Sequence, residues 1–138
     1  MTATSTRTRI FVLVAAFIAV SGSAAIAEQL AFKADLKGVQ GTKSKATGKL
    51  TGEYDTDTRK LTWRGSYVGL GTYATAAGFH GPSSGVAVKL RNINSPFDGI
   101  AILSDKQASN LIAGRWYVVV RTAGHPDGEL RGQIVPVK

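Results

Sequence analysis

His125, Asp127, Glu129 and Arg131 fall within seven residues, in the stretch HPDGELRGQI (His125–Ile134). An imidazole beside two carboxylates is the donor set of a metal site or of a general acid–base pair. The chain holds one other histidine, His80, and no cysteine. Catalytic copper or zinc usually takes at least three protein ligands, so His80 and His125 would need a carboxylate such as Asp127, or Glu129 beside it. The same stretch has a purely structural explanation. Proline presets φ, aspartate bonds back to its own backbone and glycine accepts positive φ, so Pro126-Asp127-Gly128 is a turn. It lies between two strand patterns, and Glu129 and Arg131 share a parity opposite Leu130, as an ordinary surface pair would. The turn chemistry suffices without a ligand. His80, His125 and Asp127 stay as weak metal candidates, and no catalytic residue, metal or cofactor is expected.

The rest of the chain adds little catalytic chemistry. It contains no G-x-S-x-G, H-E-x-x-H, C-x-x-C or phosphate-cradling glycine loop. Asp55–Thr58 (DTDT) lacks the D-x-D-x-D-G spacing and distal glutamate of a calcium loop, and reads as a polar hairpin turn.

The elements that must position these residues follow a period of two. Leu30, Phe32, Ala34 and Leu36 alternate with Lys33 and Asp35. Ala46, Leu50 and Tyr54 alternate with Lys49 and Glu53. Leu61, Trp63 and Tyr67 alternate with Arg64 and Ser66. Each run has one dry and one wet face, as in an antiparallel sheet. Gly38–Lys45 and Arg91–Gly99 read as loops, and Gly69–Gly85 as an irregular segment with a short strand ending near His80. Val86–Leu90 is a short strand. Ser104 with Gln107 three residues on is a capping box for a short helix that Gly114 ends, with Leu111 and Ile112 pinning it. Arg115–Thr122 is an interior strand and Glu129–Val137 a final one ending at an edge by Pro136. Gly132 leaves room for a large neighbour such as Trp63 or Trp116. Many short strands, one short helix and glycine turns predict an all-β antiparallel sandwich or barrel in one domain.

The first 27 residues stand apart. MTATSTRTR carries two arginines and no acid, IFVLVAAFIAV is an eleven-residue apolar run, and SGSAAIA ends in an A-x-A pattern. These are the three regions of a secretory signal peptide, with cleavage expected between Ala27 and Glu28. The apolar run is shorter than the roughly 20 residues needed to span a bilayer, so no transmembrane segment is expected after processing. Removing Arg7 and Arg9 from seventeen basic residues leaves fifteen against nine acids, a net +6 over residues 28–138. Such a charge either maintains solubility or attracts anionic surfaces. Lys33, Lys37, Lys43, Lys45, Lys49, Arg59, Lys60 and Arg64 lie in the first half.

AAGFHGPSSGVAVKL and ASNLIAGRWYVVVRTAGHPDGELRGQI together resemble the CHRD domain, named from chordin and found also in exported bacterial proteins. Its members show A-H-I-H-G-P followed by G-x-V, then L-x-x-G-x-x-Y-V-N-V-H-T, then N-P-x-G-E-I-R-G-Q-L. The likeness runs from about Leu30 to Val135. Gly114, Tyr117, Val118, Val120, Thr122, Pro126, Gly128, Glu129, Arg131, Gly132 and Gln133 fall in register. The resemblance implies a Greek-key-like β-sandwich similar to the copper/zinc superoxide dismutase fold. It also shows departures. Gly78 stands where the family has the first histidine of H-x-H-G, His80 matches the second, and Arg121 replaces the histidine of V-N-V-H-T. His125 stands where the family more often has asparagine.

Three functions remain open on this reading. The first is an exported, non-enzymatic module that binds or scaffolds an unknown envelope or extracellular ligand, in the periplasm or secreted. The second is a superoxide dismutase-like metal protein, which rests on fold analogy. The third is a binder of anionic envelope polymers. No specific nucleic-acid partner is expected.

Overall fold

A computed structural model describes residues 28–83 and 85–138; the expected signal segment lies outside them. Nine strands and one helix occur among the described residues: β1 (Gln29–Gly38), β2 (Thr47–Asp55), β3 (Lys60–Val68), β4 (Ala74–His80), β5 (Val86–Lys89), β6 (Phe97–Ile102), α1 (Asp105–Ile112), β7 (Tyr117–Thr122), β8 (Leu130–Gln133) and β9 (Val135–Pro136). All pairings are antiparallel, in the order β5-β4-β7-β8-β1-β2-β3-β6, with β9 also on β1. β8 returns beside β1 after a long excursion, so β8-β1-β2-β3 has Greek-key order. The two ends of this path curl toward each other. Trp63 on β3 meets Phe79 on β4 edge-on at 4.9 Å between ring centroids, although the two strands lie far apart in the strand order. The sheet is therefore nearly closed into a barrel, all-β apart from α1. No described helix is long and apolar enough to cross a membrane.

Period two explains the interior. Phe32, Ala34 and Leu36 of β1, Leu50 and Tyr54 of β2, and Leu61 and Trp63 of β3 are buried, while their neighbours face water. Trp116, Val118, Val120, Leu130 and Ile134 complete the core. The DTDT segment is the β2–β3 turn. Asp55 Oδ1 accepts from the backbone N–H of Asp57 (2.9 Å) and Thr58 (3.0 Å), and the Thr58 bond foremost holds this carboxyl below its usual pKa.

The helix forms as its signals dictate. Ser104 Oγ accepts from Gln107 N (3.2 Å), Gln107 Oε1 accepts from Ser104 N (2.9 Å), and Gly114 takes φ +73° past the C-terminus. Gln107 Nε2 also donates to Ala87 O at 3.0 Å, which ties α1 to β5. Ser104→Ala is expected to cost about 1 kcal/mol, read as a lower urea midpoint at unchanged slope.

Three expectations need correction. The segment Arg91–Gly99 is not all loop, because Phe97 opens β6, whose inward Phe97 is buried while Ile100 and Ile102 are exposed. Helix α1 is anchored by Leu111 and Ala108, whereas Ile112 is 44% exposed. Gly132 does not make room for a tryptophan. A Cβ there would stand 2.4 Å from the backbone oxygen of Asp35, so the glycine allows β8 to approach β1. The glycine lying against Trp63 is Gly99, its cross-strand partner, where a Cβ would fall 2.3 Å from the indole.

Candidate functional site

HPDGELRGQI forms most of the turn between β7 and β8 and the whole of β8. Thr122 N donates to His125 O, His125 N donates to Thr122 O, and Gly128 N donates to His125 O at 3.0 Å. Gly128 takes φ +127°, which L side chains rarely adopt. One residue on, the alternation is reset. Glu129 N donates to Val120 O at 2.8 Å, yet Leu130 is the ladder partner of Val120. Two residues of one strand thus oppose one of the other, which is a β-bulge.

The bulge overturns the expected surface pair of Glu129 with Arg131. Glu129 is 1% exposed and turned into the end of the barrel. Its carboxylate accepts from Thr122 Oγ1 (2.9 Å), Ser44 Oγ (2.9 Å) and Gly71 N (3.1 Å), so it fastens the 38–46 and 69–73 loops to β7. Burial alone raises its pKa and is the largest single influence. The three donors and the nearby His125 together outweigh it, and the carboxyl sits below its ordinary value.

Arg131 points the other way. Its guanidinium carbon lies 4.0 Å over the centre of the Tyr117 ring, whose ring stacks on His80 at 5.3 Å and 13°. Because β7 runs between β4 and β8, Tyr117 stands between the imidazole and the guanidinium. His80 is only 9% exposed, and burial first, then Arg121 and Arg131, lowers its pKa. A backbone contact with Gly85 opposes this only partly. His80 is therefore a neutral ring in a positive field.

The structure does not bring the metal candidates together. His80 pairs with Tyr117 at one end of β7, and His125 bonds Thr122 at the other. Five residues of strand separate the two, about 17 Å. Asp127 is exposed at the turn tip. Among the described residues no group of three histidine, cysteine, aspartate or glutamate side chains is placed to hold a metal ion.

What the fold does assemble is a basic outer face. Lys37 of β1 is the direct ladder partner of Arg131 of β8, and both side chains are exposed. Lys33, Asp35 and Lys37 line a surface groove of about 640 Å³ with Gln40, Arg131 and Gln133. The sequence placed the lysines in a basic first half but left Arg131 unconnected, because 94 residues separate it from Lys37 and only the Greek-key return joins them. Lys49 and Arg64 share a second outer hollow with Asp98, on β2, β3 and β6. The Glu129 partners Ser44 and Gly71 had no sequence signal either, being 85 and 58 residues distant.

The CHRD domain family matches the chain over residues 32–134. No curated protein and no solved structure matches.

Proposed function

The chain belongs to the CHRD domain family, and on that premise we propose that it is an exported, non-enzymatic module that binds or scaffolds a component of the cell envelope. The reading places it in the periplasm or outside the cell, with cleavage between Ala27 and Glu28. One observation carries the non-enzymatic part. The polar residues most capable of chemistry in the segment of closest resemblance are spent on architecture. Glu129 is saturated by three donors, Thr122 is one of them, and Gln133 Nε2 donates to the backbone oxygens of Gly114 (2.6 Å) and Trp116 (2.9 Å). A carboxylate with that many donors is a poor base and a poor nucleophile. Export accords with the position of the first strand. β1 begins at Gln29, and the Glu28 backbone pairs with Thr56 through Thr56 N to Glu28 O at 3.0 Å. Among the described residues the first that the barrel uses is thus Glu28, the residue expected to follow the cut.

Two measurements test this. Intact-mass analysis of protein from the cell envelope or medium should give a chain beginning at Glu28; a chain that keeps residues 1–27 overturns export with processing. Elemental analysis of untagged protein dialysed against trace copper and zinc should give far less than one metal per chain. Stoichiometric metal, or a hydrolytic or redox activity lost in His80→Ala or His125→Ala, overturns the non-enzymatic reading.

A further inference from the structure

The outer groove along β1 and β8 holds charge that the fold does not use. Lys37 and Arg131 are opposite each other in an antiparallel ladder, an arrangement that repels. Neither takes part in an ion pair. The one salt bridge among the described residues joins Arg59, in the β2–β3 turn, to Asp105 at the start of α1 at 3.0 Å. Arg131 is also held in place. Stacking on Tyr117, itself backed by His80, fixes the guanidinium plane, and its N–H edge stays available for an acceptor. A preorganised arginine loses less freedom on binding. The nearby Arg121 adds to the positive field that His80 experiences.

The spacing narrows the ligand. Lys33 and Lys37 are four residues apart on one strand face, about 13 Å. Asp35 lies midway between them on the same face. A nucleic-acid strand carries one charge per about 3.4 Å of helix, and would place phosphate against Asp35. A chain with well-separated acids and hydroxyls between them avoids that clash. Its hydroxyls donate to Asp35 and to the amide oxygen of Gln133, whose nitrogen is held by Gly114 and Trp116, and exchange hydrogen bonds with Gln40, while its acid groups meet Lys33 and the Lys37–Arg131 pair. We propose that the groove formed by Lys33, Asp35, Lys37, Gln40, Arg131 and Gln133 binds an acidic polysaccharide through its carboxylate or sulfate groups. This site rests on the reading of the chain as a binding module and names the class of its ligand.

The test uses a heparin hexasaccharide titrated into the purified full-length chain by calorimetry at two salt concentrations. The wild type should bind with an affinity that falls as salt rises. Lys37→Gln with Arg131→Gln should weaken binding about tenfold or more. Lys43→Gln with Lys45→Gln removes equal charge from the neighbouring loop and should change binding less than about twofold. Arg131→Lys keeps the charge but loses the planar fork and its stacking, and should fall between the two. Thermal melts of each variant separate lost binding from lost folding, and Lys37→Gln alone, at an exposed strand position, supplies a variant that folds.

Equal losses in both double variants would show attraction by net charge and overturn the groove. Absence of hexasaccharide binding would overturn it too. Tighter binding of a single-stranded oligonucleotide or of anionic vesicles, weakened by the same groove variants, would overturn the polysaccharide assignment. Failure here leaves the module reading intact, whereas an activity that depends on His80 or His125 would end the module reading without touching the groove result.

Discussion

Glu129→Ala should lower the stability of the domain by about 3–4 kcal/mol, because it strands the buried Thr122 hydroxyl and takes away the acceptor that the half-buried Ser44 hydroxyl and the Gly71 N–H share with it. For a domain of this size that is a fall in Tm of roughly 12–16 °C. The value exceeds that of an ordinary hydrogen-bond deletion because one carboxylate joins three chain segments. Ser44 belongs to the β1–β2 loop, Gly71 to the β3–β4 loop and Thr122 to the end of β7. Glu129→Gln keeps an acceptor oxygen, and the serine and threonine hydroxyls can turn to accept from the new amide. Its loss should be smaller, about 1–2 kcal/mol. Equal melting of wild type and Glu129→Ala would mean that the loops do not depend on this group.

The same pair of proteins reports the sign of the charge. The folded pKa of Glu129 lies below its unfolded value, near 4.5. Its charge therefore adds stability that is fully present above pH 4.5 and is lost as pH falls through the folded value. The wild type should melt well above Glu129→Gln at neutral pH, and the gap should narrow below pH 4.5. His80 also has a lowered pKa, so its neutral form favours the fold above about 6.5 and that advantage erodes on acidification. Both proteins contain His80, so its effect cancels in the difference between their melting curves. A gap independent of pH would assign Glu129 a shape role and no ionic one.

Most strands and the helix were legible because each rests on a local rule. Alternation gave β1, β2 and β3. Ser104, Gln107 and Gly114 marked α1, since capping is decided within a few residues. The β6 strand was not legible, because Pro96 and Gly99 read as breakers although Gly99 sits in the strand to clear Trp63. Glu129 was misread for a related reason. Parity assigns a face only while the ladder is regular, and the bulge after Gly128 turns the side chain from the outer face to the interior. The basic groove was half legible. Lys33 and Lys37 are two turns of the pleat apart in sequence, but their pairing with Arg131 is a product of topology. The metal candidates failed to converge for the same cause, since His80 and His125 are joined by β7 and held apart by its length.

Gly132→Ala should cost about 3 kcal/mol, at the upper end of overpacking effects, because the atom it adds meets backbone. The new Cβ would lie 2.4 Å from Asp35 O and 2.7 Å from Leu36 Cδ2. A flexible side chain could swing aside, but β1 is held on both flanks of Asp35. β8 pairs with it at Lys37 and Gly38, and β9 at Phe32 and Lys33. Relief therefore requires β1 and β8 to part, which loosens the ladder that joins the two halves of the sheet. Gly52→Ala is the comparison. It lies inward on β2 with its nearest contact at 3.2 Å, and a modest backbone adjustment together with the entropy gained over glycine should keep the change within about 1 kcal/mol. Urea denaturation of both variants decides between close approach and a general intolerance of alanine in these strands. Similar losses would favour the latter. The parting of β1 from β8 also moves Arg131 away from Lys37. Gly132→Ala should thus lose stability and polysaccharide affinity together, while Lys37→Gln loses affinity with little change in stability. That separation distinguishes a groove built by the strand pairing from one that only happens to carry charge.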